Sequence, residues 1–248
     1  MTRRDGARMQ RRNTGGAVQW SPKALSGLTA WYRADMGITI ATGVSAWADQ
    51  SGTGDPNKNA VQATTTRQPA YNASNANFAG KPTLTFTAAS GQNLFSGNWA
   101  ATVAQPLTAI LVGSMPIPAS NSIGLDMALT ELSLDSCAAT GAPQAYAGTV
   151  VNATVGNFAN PTVFGVVFNG ASGAYYVSQK TGTTANFGAI SPATATCIGG
   201  LYSAPANVTN NWNGAIAEVI IYNRALSAGE MGLVQLYCGA RYGIAIGA

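Results

Sequence analysis

The sequence contains no histidine. That excludes Ser-His-Asp and Cys-His nucleophile systems and histidine-ligated metal sites. Charge is scarce too: Asp, Glu, Lys and Arg are 9% of the 248 residues, against 46% apolar residues. Disordered chains show the opposite balance, so this composition belongs to a globular protein with a weakly charged surface. Cysteine is limited to Cys137, Cys197 and Cys238. An odd number at wide spacing excludes a disulfide framework and a zinc knot, and leaves buried free thiols as the expectation. No apolar run is long enough to cross a bilayer, and none follows the N-terminal arginines as a signal peptide would. Neither GxxxxGK[ST] nor GxGxxG occurs between a strand and a helix, so no phosphate-cradling loop is expected.

What charge there is lies unevenly. Arg3, Arg4, Arg8, Arg11 and Arg12 crowd the first twelve residues against Asp5 alone, and the rest of the chain balances eight basic residues with eight acidic ones. The net charge of +4 is therefore the charge of an arm. Residues 1–24 are assigned to this basic arm and residues 25–248 to one folded domain. The arm is expected to dock on a neighbouring protein through residues 1–16 rather than on nucleic acid, although counterion release from a phosphate backbone would suit the same charge.

The domain reads as strands separated by Asn, Gly and Pro clusters every ten to fifteen residues. Leu28 to Arg33 alternates and carries Trp31 and Tyr32. Val44 to Trp47 and Thr83 to Thr87 are shorter examples, and Arg67, Pro69 and Tyr71 fall in a loop. Leu107 to Val112 and Thr162 to Phe168 are apolar throughout, as central strands are. The most informative stretch is Trp212 to Ile244. Ala215 to Tyr222 is apolar at both parities, which predicts a strand covered on both faces. Its exception is Glu218, on the parity of Ile216, Ile220 and Tyr222. Ser227 with Glu230 three residues on is a capping box for a short helix that Gly243 ends. About twelve strands and one helix predict an all-β fold: a two-sheet antiparallel sandwich with one short C-terminal helix and an extended basic N-terminal arm.

Two separated blocks carry a resemblance. The first is LTAWYRAD, VSAWADQSGTG, NAVQATTTRQPAYN and GKPTLTFTAASGQNL; the second is NGAIAEVIIYNRALSAGE with the helix ending in ARYGI. Together they resemble the concanavalin A-like lectin/glucanase superfamily, in its laminin-G-like jelly-roll branch, over residues 25–244. The resemblance implies a jelly roll whose first and last strands are neighbours. It also implies a domain of the kind appended to secreted bacterial proteins and to bacteriophage virion proteins. At residues 87–91, TAASG replaces the acidic turn that such domains often show.

Candidate sites follow from side-chain chemistry. Glucanases of that superfamily carry E-x-D-x-E on one strand; here the nearest match is Glu131-Leu-Ser-Leu-Asp135, with Ser133 where the middle carboxylate would stand. The two carboxylates would sit ~13 Å apart along a strand, and they read as a solvated strand face. No catalytic residue is assigned, and the chain is expected not to be an enzyme. Glu218, if buried, needs a partner; Arg33 on the first strand is the expected one in a structural ion pair, with Arg224 second. Asp49, Asp55 and Asp126 are available to calcium but form no dense oxygen-ligand run, so no metal or other cofactor is assigned. Trp99 and Tyr202, with Asn207 and Asn210 near the latter, are the expected contacts to glycan or protein, while Trp31, Trp47 and Trp212 are expected in the core.

The function expected from all this is a structural or decoration component of a phage capsid or tail, made in the host cytoplasm, present in several copies and anchored by its basic arm. The alternative is a glycan-binding adhesin for host-surface attachment; a glycoside hydrolase is the least favoured reading.

Overall fold

Alternating and fully apolar runs of three to nine residues can close their backbone hydrogen bonds only by pairing with one another, and that requirement organises the chain. The computed structural model describes residues 20–127, 132–204 and 207–248, with backbone alone for residues 203, 204 and 207. The arm arginines Arg3, Arg4, Arg8, Arg11 and Arg12 lie outside the described residues, as does Glu131.

The chain begins with β1 (Leu28–Arg33), β2 (Ile38–Ile40), β3 (Val44–Trp47), β4 (Ala60–Val61), β5 (Ala70–Asn75), β6 (Lys81–Phe86) and β7 (Leu94–Ser96). The middle supplies β8 (Leu107–Ser114), β9 (Ser122–Asp126), β10 (Ser133–Ser136), β11 (Pro143–Tyr146), β12 (Val150–Asn152), β13 (Thr162–Phe168), β14 (Gly173–Val177) and β15 (Thr183–Ala185). The last stretch holds β16 (Cys197–Ile198), β17 (Leu201–Ala204), β18 (Asn207–Thr209), β19 (Gly214–Tyr222) and the helix α1 (Ala228–Tyr242).

Two large antiparallel sheets result. One runs β15-β14-β13-β8-β19-β6-β5, with β1 also paired to β19; the other runs β12-β11-β10-β9-β16-β7-β4-β3-β2. The strand β19 lies at the middle of the first sheet. Along one edge it pairs with β8 from Ala215 to Tyr222. Along the other, Gly214 to Ile216 pair with β6 and Glu218 to Tyr222 pair with β1. First and last strands are thus neighbours, as the resemblance implies.

A bulge between Ile216 and Glu218 changes the parity that the sequence suggests. Ile216, Val219 and Ile221 enter the core between the sheets with Leu84, Leu111, Phe164, Leu125 and Trp212. Ile220 and Tyr222 instead face a second core under α1, against Met231, Val234, Cys238 and Tyr242. Each aliphatic side chain so buried contributes ~1.5–3 kcal/mol, and β19 supplies them to both layers. The helix is fixed at its start by the expected capping box: Glu230 N–H donates to Ser227 Oγ at 3.3 Å, and Ser227 N–H donates to the Glu230 carboxylate at 2.9 Å. Gly243, at φ +68°, closes its end in the left-handed region.

Candidate functional site

Side chains of chemical interest fall in three places, and the first is closed to ligands. Glu218 is 0% exposed beneath α1. Trp31 Nε1 and Tyr237 Oη donate to its Oε1, the latter at 3.0 Å, and Tyr242 Oη donates to its Oε2 at 2.8 Å. Arg33 is directly opposite Glu218 in the β1–β19 register. The expected direct ion pair is nevertheless not what forms. The Arg33 guanidinium bonds Asp35 at 2.6 Å and meets Glu218 only through Tyr237, to whose hydroxyl it donates at 3.4 Å. Arg241 repeats the pattern: it bonds Asp35 at 2.5 Å and donates to Tyr242 Oη at 3.3 Å. Arg224, the second candidate, bonds Glu230 at 2.6 Å. The physical reason is desolvation: burying a guanidinium beside the carboxylate costs more than supplying neutral hydroxyl and indole donors. Burial pushes the Glu218 carboxyl above its ordinary pKa, opposed by its three hydrogen bonds and by Arg241. The cluster fastens helix to sheet.

The second place is the outer face of the second sheet. Ala60 and Leu94 enter the core, so alternation turns Val61 and Phe95 outward. Cross-strand pairing extends this into a row, Ser133–Asp126–Cys197–Phe95–Val61. The β17–β18 hairpin is tied to the row where Tyr202 N–H donates to Asp126 Oδ2 at 3.2 Å. The Tyr202 ring then stacks on Phe95, centroids 4.0 Å apart and planes 10° from parallel. Tyr202 is 9% exposed, so it forms an edge rather than the open platform expected of it. That edge lines a groove of about 260 Å³ with Phe95, Gln62, Arg67, Asn93 and Val208. Its amides are pre-positioned: Gln62 Nε2 donates to Asn93 Oδ1 at 3.1 Å, and Asn93 Nδ2 donates to Gly91 O at 2.9 Å.

The third place surrounds Trp99. This residue is 5% exposed and packs in the core between the sheets, so it is no surface platform. Its neighbour is the ammonium of Lys58, 5.5 Å from the ring centroid. Beside them opens a cavity of about 630 Å³ lined by Lys58, Asp55, Thr53, the loop from Ala100 to Gln105, and Asn223.

The expected site residues are therefore not brought together. Asn210, at φ +50°, holds Ile123 N–H through its carbonyl at 2.7 Å and lines a separate depression near Ile117. Asn207 pairs with Ala204 in the hairpin. Ser133 and Asp135 are buried, not solvated, because β10 runs inside its sheet between β9 and β11. Of the carboxylates open to calcium, Asp49 accepts from Trp31 N at 2.8 Å and Ser51 N at 3.0 Å, and Asp55 from Asn57 N at 3.0 Å and Ala100 N at 2.8 Å. Asp126 is taken up by Leu132 N and Tyr202 N, each at 3.2 Å. Among the described residues no three such side chains converge on a metal position. Cys197 and Cys238 are buried thiols whose pKa burial pushes up.

The sequence reading missed Phe95, Asn93 and Gln62. The signal available was the parity of Asn93 to Phe95, which sets a large aromatic opposite a core leucine. It placed Arg67 in a loop, where the residue ends a short 3₁₀ turn; Tyr71, placed in the same loop, belongs to β5. Among the described residues no helix is long and apolar enough to cross a membrane.

No protein-family model and no curated protein sequence matches the chain. Solved structures do. A Trypanosoma rangeli sialidase in complex with sialic acid matches 87% of this chain at 15% identity, with a TM-score of 0.57. The match covers 33% of the sialidase, so the chain spans about a third of that protein's length. Domain 4 of a GH43 extracellular arabinanase from Geobacillus stearothermophilus, in complex with arabinotriose, matches 84% of this chain and 98% of its own, at 14% identity and a TM-score of 0.53. At such identities the likeness is one of fold: a lectin- or glucanase-like β-sandwich. It also corrects the expectation that the chain is not an enzyme, since the similar structures come from a sialidase and an arabinanase. That expectation rested on the missing histidine and on a single carboxylate pair along one strand, Glu131 with Asp135. Neither bounds glycoside cleavage, whose carboxyl groups can come from different strands and which sialidases perform with a tyrosine nucleophile.

Proposed function

We propose that this chain is a saccharide-binding β-sandwich that seats its ligand in the groove beside Tyr202. The observation that carries the reading is the Tyr202–Phe95 stack walled by Gln62, Asn93 and Arg67. Saccharide recognition needs an apolar aromatic edge for the C–H face of a sugar and fixed polar groups for its hydroxyls. The hydrogen bonds among Gln62, Asn93 and Gly91 hold those amides before a ligand arrives, which lowers the entropy lost on binding. The similar structures in complex with sialic acid and arabinotriose support a saccharide as the ligand class.

The test is a glycan array followed by calorimetry on wild-type protein, Tyr202→Ala and Gln62→Ala. Loss of the aromatic edge is expected to weaken binding about tenfold or more, with melting temperature as the control for folding. Unchanged affinity in both variants refutes the groove.

A second reading rests on the separation of charge between the arm and the neutral body. In it, residues 1–16 anchor several copies of the sandwich on a larger assembly, such as a phage particle, and copy number multiplies a weak saccharide affinity. Deleting residues 1–16 then abolishes incorporation into the assembly while leaving binding by the isolated body intact; retained incorporation refutes the anchor.

A further inference from the structure

Lys58 is a charged residue in a place where charge is costly. It is 6% exposed. Its ammonium donates to Thr29 O at 2.9 Å and to Thr53 Oγ1 at 3.2 Å. Those are neutral acceptors, and none of the ion pairs among the described residues includes Lys58. An ammonium carries three N–H donors; two meet these oxygens, and the ammonium's further neighbour is the face of the Trp99 ring, 5.5 Å away. Burial pulls the Lys58 pKa down, opposed by the nearby charges of Asp49 and Asp55. Both carboxylates are held back by backbone N–H groups, as described above, and do not close on the amine.

The Lys58 amine belongs to the wall of the 630 Å³ cavity. The same wall carries Asp55, Thr53 and Asn223, with Leu28, Val103 and Pro106 giving apolar surface. The two charged side chains of the lining, Lys58 and Asp55, cancel, so the cavity wall carries no net charge. An anionic ligand gains nothing net from such a wall and meets the Asp55 carboxylate. A neutral ligand offering both acceptors and donors matches it.

We infer that this cavity is a second binding site, for a neutral hydroxyl-rich molecule such as an oligosaccharide or polyol, with the Lys58 ammonium donating to one of its hydroxyl oxygens. The ligand class rests on the saccharide reading of the protein; the residues are different from those of the Tyr202 groove, and the two fail separately. The Asp55 carboxylate accepts from a second hydroxyl, using lone pairs that its two backbone bonds leave. The Trp99 ring packs against the amine at 5.5 Å.

The experiment titrates the Tyr202→Ala chain, in which the groove is disabled, with arabinotriose, xylotriose and cellotriose, and with N-acetylneuraminic acid as the anionic probe. At least one neutral trisaccharide is expected to bind with a stoichiometry of one. Adding Lys58→Met weakens it about tenfold or more, and adding Ala101→Phe, which puts bulk on the loop that lines the cavity, weakens it comparably. Methionine keeps the side-chain volume while removing the ammonium; a melting curve of each variant verifies that it folds. The inference is overturned if no neutral probe binds the Tyr202→Ala chain, if Lys58→Met and Ala101→Phe both bind as well as their parent, or if N-acetylneuraminic acid binds in preference to the neutral sugars.

Discussion

Replacing Gly214 by alanine tests the central position of β19 most directly. Gly214 opens that strand opposite Phe86, and a Cβ placed on it would lie 2.2 Å from the Ser114 carbonyl oxygen and 2.6 Å from Met115 Cβ. Both belong to the end of β8 and the residue after it, so relief requires the backbone to retreat by about an ångström rather than a side chain to turn. Overpacking of this kind costs ~1–3 kcal/mol. Losing one or two ladder hydrogen bonds near the Ala215–Ser114 pair adds ~0.5–1.5 kcal/mol each. The restricted unfolded chain returns ~0.4–1 kcal/mol. The net is a loss of ~2–4 kcal/mol, which for a chain of this size lowers the melting temperature by roughly 5–15 °C. Gly229 supplies the control. It lies in the first turn of α1 with no heavy atom within 4 Å of a built Cβ, so the same chemical change there is expected to stabilise by ~0.5–1 kcal/mol. Urea unfolding followed by circular dichroism reads both. If Gly214→Ala stays within ~0.5 kcal/mol of wild type, the packing of β19 against β8 is not as described.

Other perturbations bear on the helix and its fastening. Glu230→Ala removes the capping box and the Arg224 ion pair, at a cost of ~1–2 kcal/mol at neutral pH. The hydrogen bond from Arg224 leads in holding the Glu230 pKa at about 2 against an ordinary 4.5, so that cost, read by denaturant titration across pH, should shrink as pH falls from 4.5 towards 2. Glu218 has the opposite sign: its pKa is raised on folding, chiefly by burial. Its contribution to stability is full below pH 4.5 and is lost as pH rises through the folded value. Glu218→Gln, which cannot titrate, should therefore gain on wild type with rising pH; a constant difference refutes that. Gln235 is fully buried and neither its Oε1 nor its Nε2 finds a hydrogen-bond partner among the described residues. Gln235→Met should raise stability by ~1–3 kcal/mol in the same assay, and a loss would show that the amide has a partner.

How much of this was legible in the sequence depends on how local its cause is. The strand at Leu28–Arg33, that at Thr162–Phe168 and the capping box at Ser227 appear where apolar runs and cap chemistry place them. Parity along β19 was not legible, because a bulge depends on how two neighbouring strands share one edge. The Ile216 side chain therefore faces the inter-sheet core while Glu218 faces the helix. The partners of Glu218 were half legible: Arg33 is its cross-strand neighbour, yet the tyrosines that separate them come from a helix some twenty residues further on. Trp99 was misread because its flanking Ser, Gly and Asn look like an exposed turn. Its ring is covered by Lys58 and the sheets, a contact that no local pattern encodes. The Tyr202 groove combines residues from β4, β7, β17 and β18 and the turns between them, and no single window of sequence contains it.

The place of β19 has a consequence for how the protein is made. It follows every other strand of the two sheets in the chain, and it joins β8 on one side to β1 and β6 on the other. Until it arrives, the first sheet is split into β15-β14-β13-β8, β6-β5 and an unpaired β1, each presenting an edge that any passing strand can join. Synthesis and sheet closure therefore cannot proceed together. The growing chain must be kept from its neighbours until residue 222 is free, and shortened fragments that stop before Gly214 should be recovered in aggregates rather than as folded subdomains.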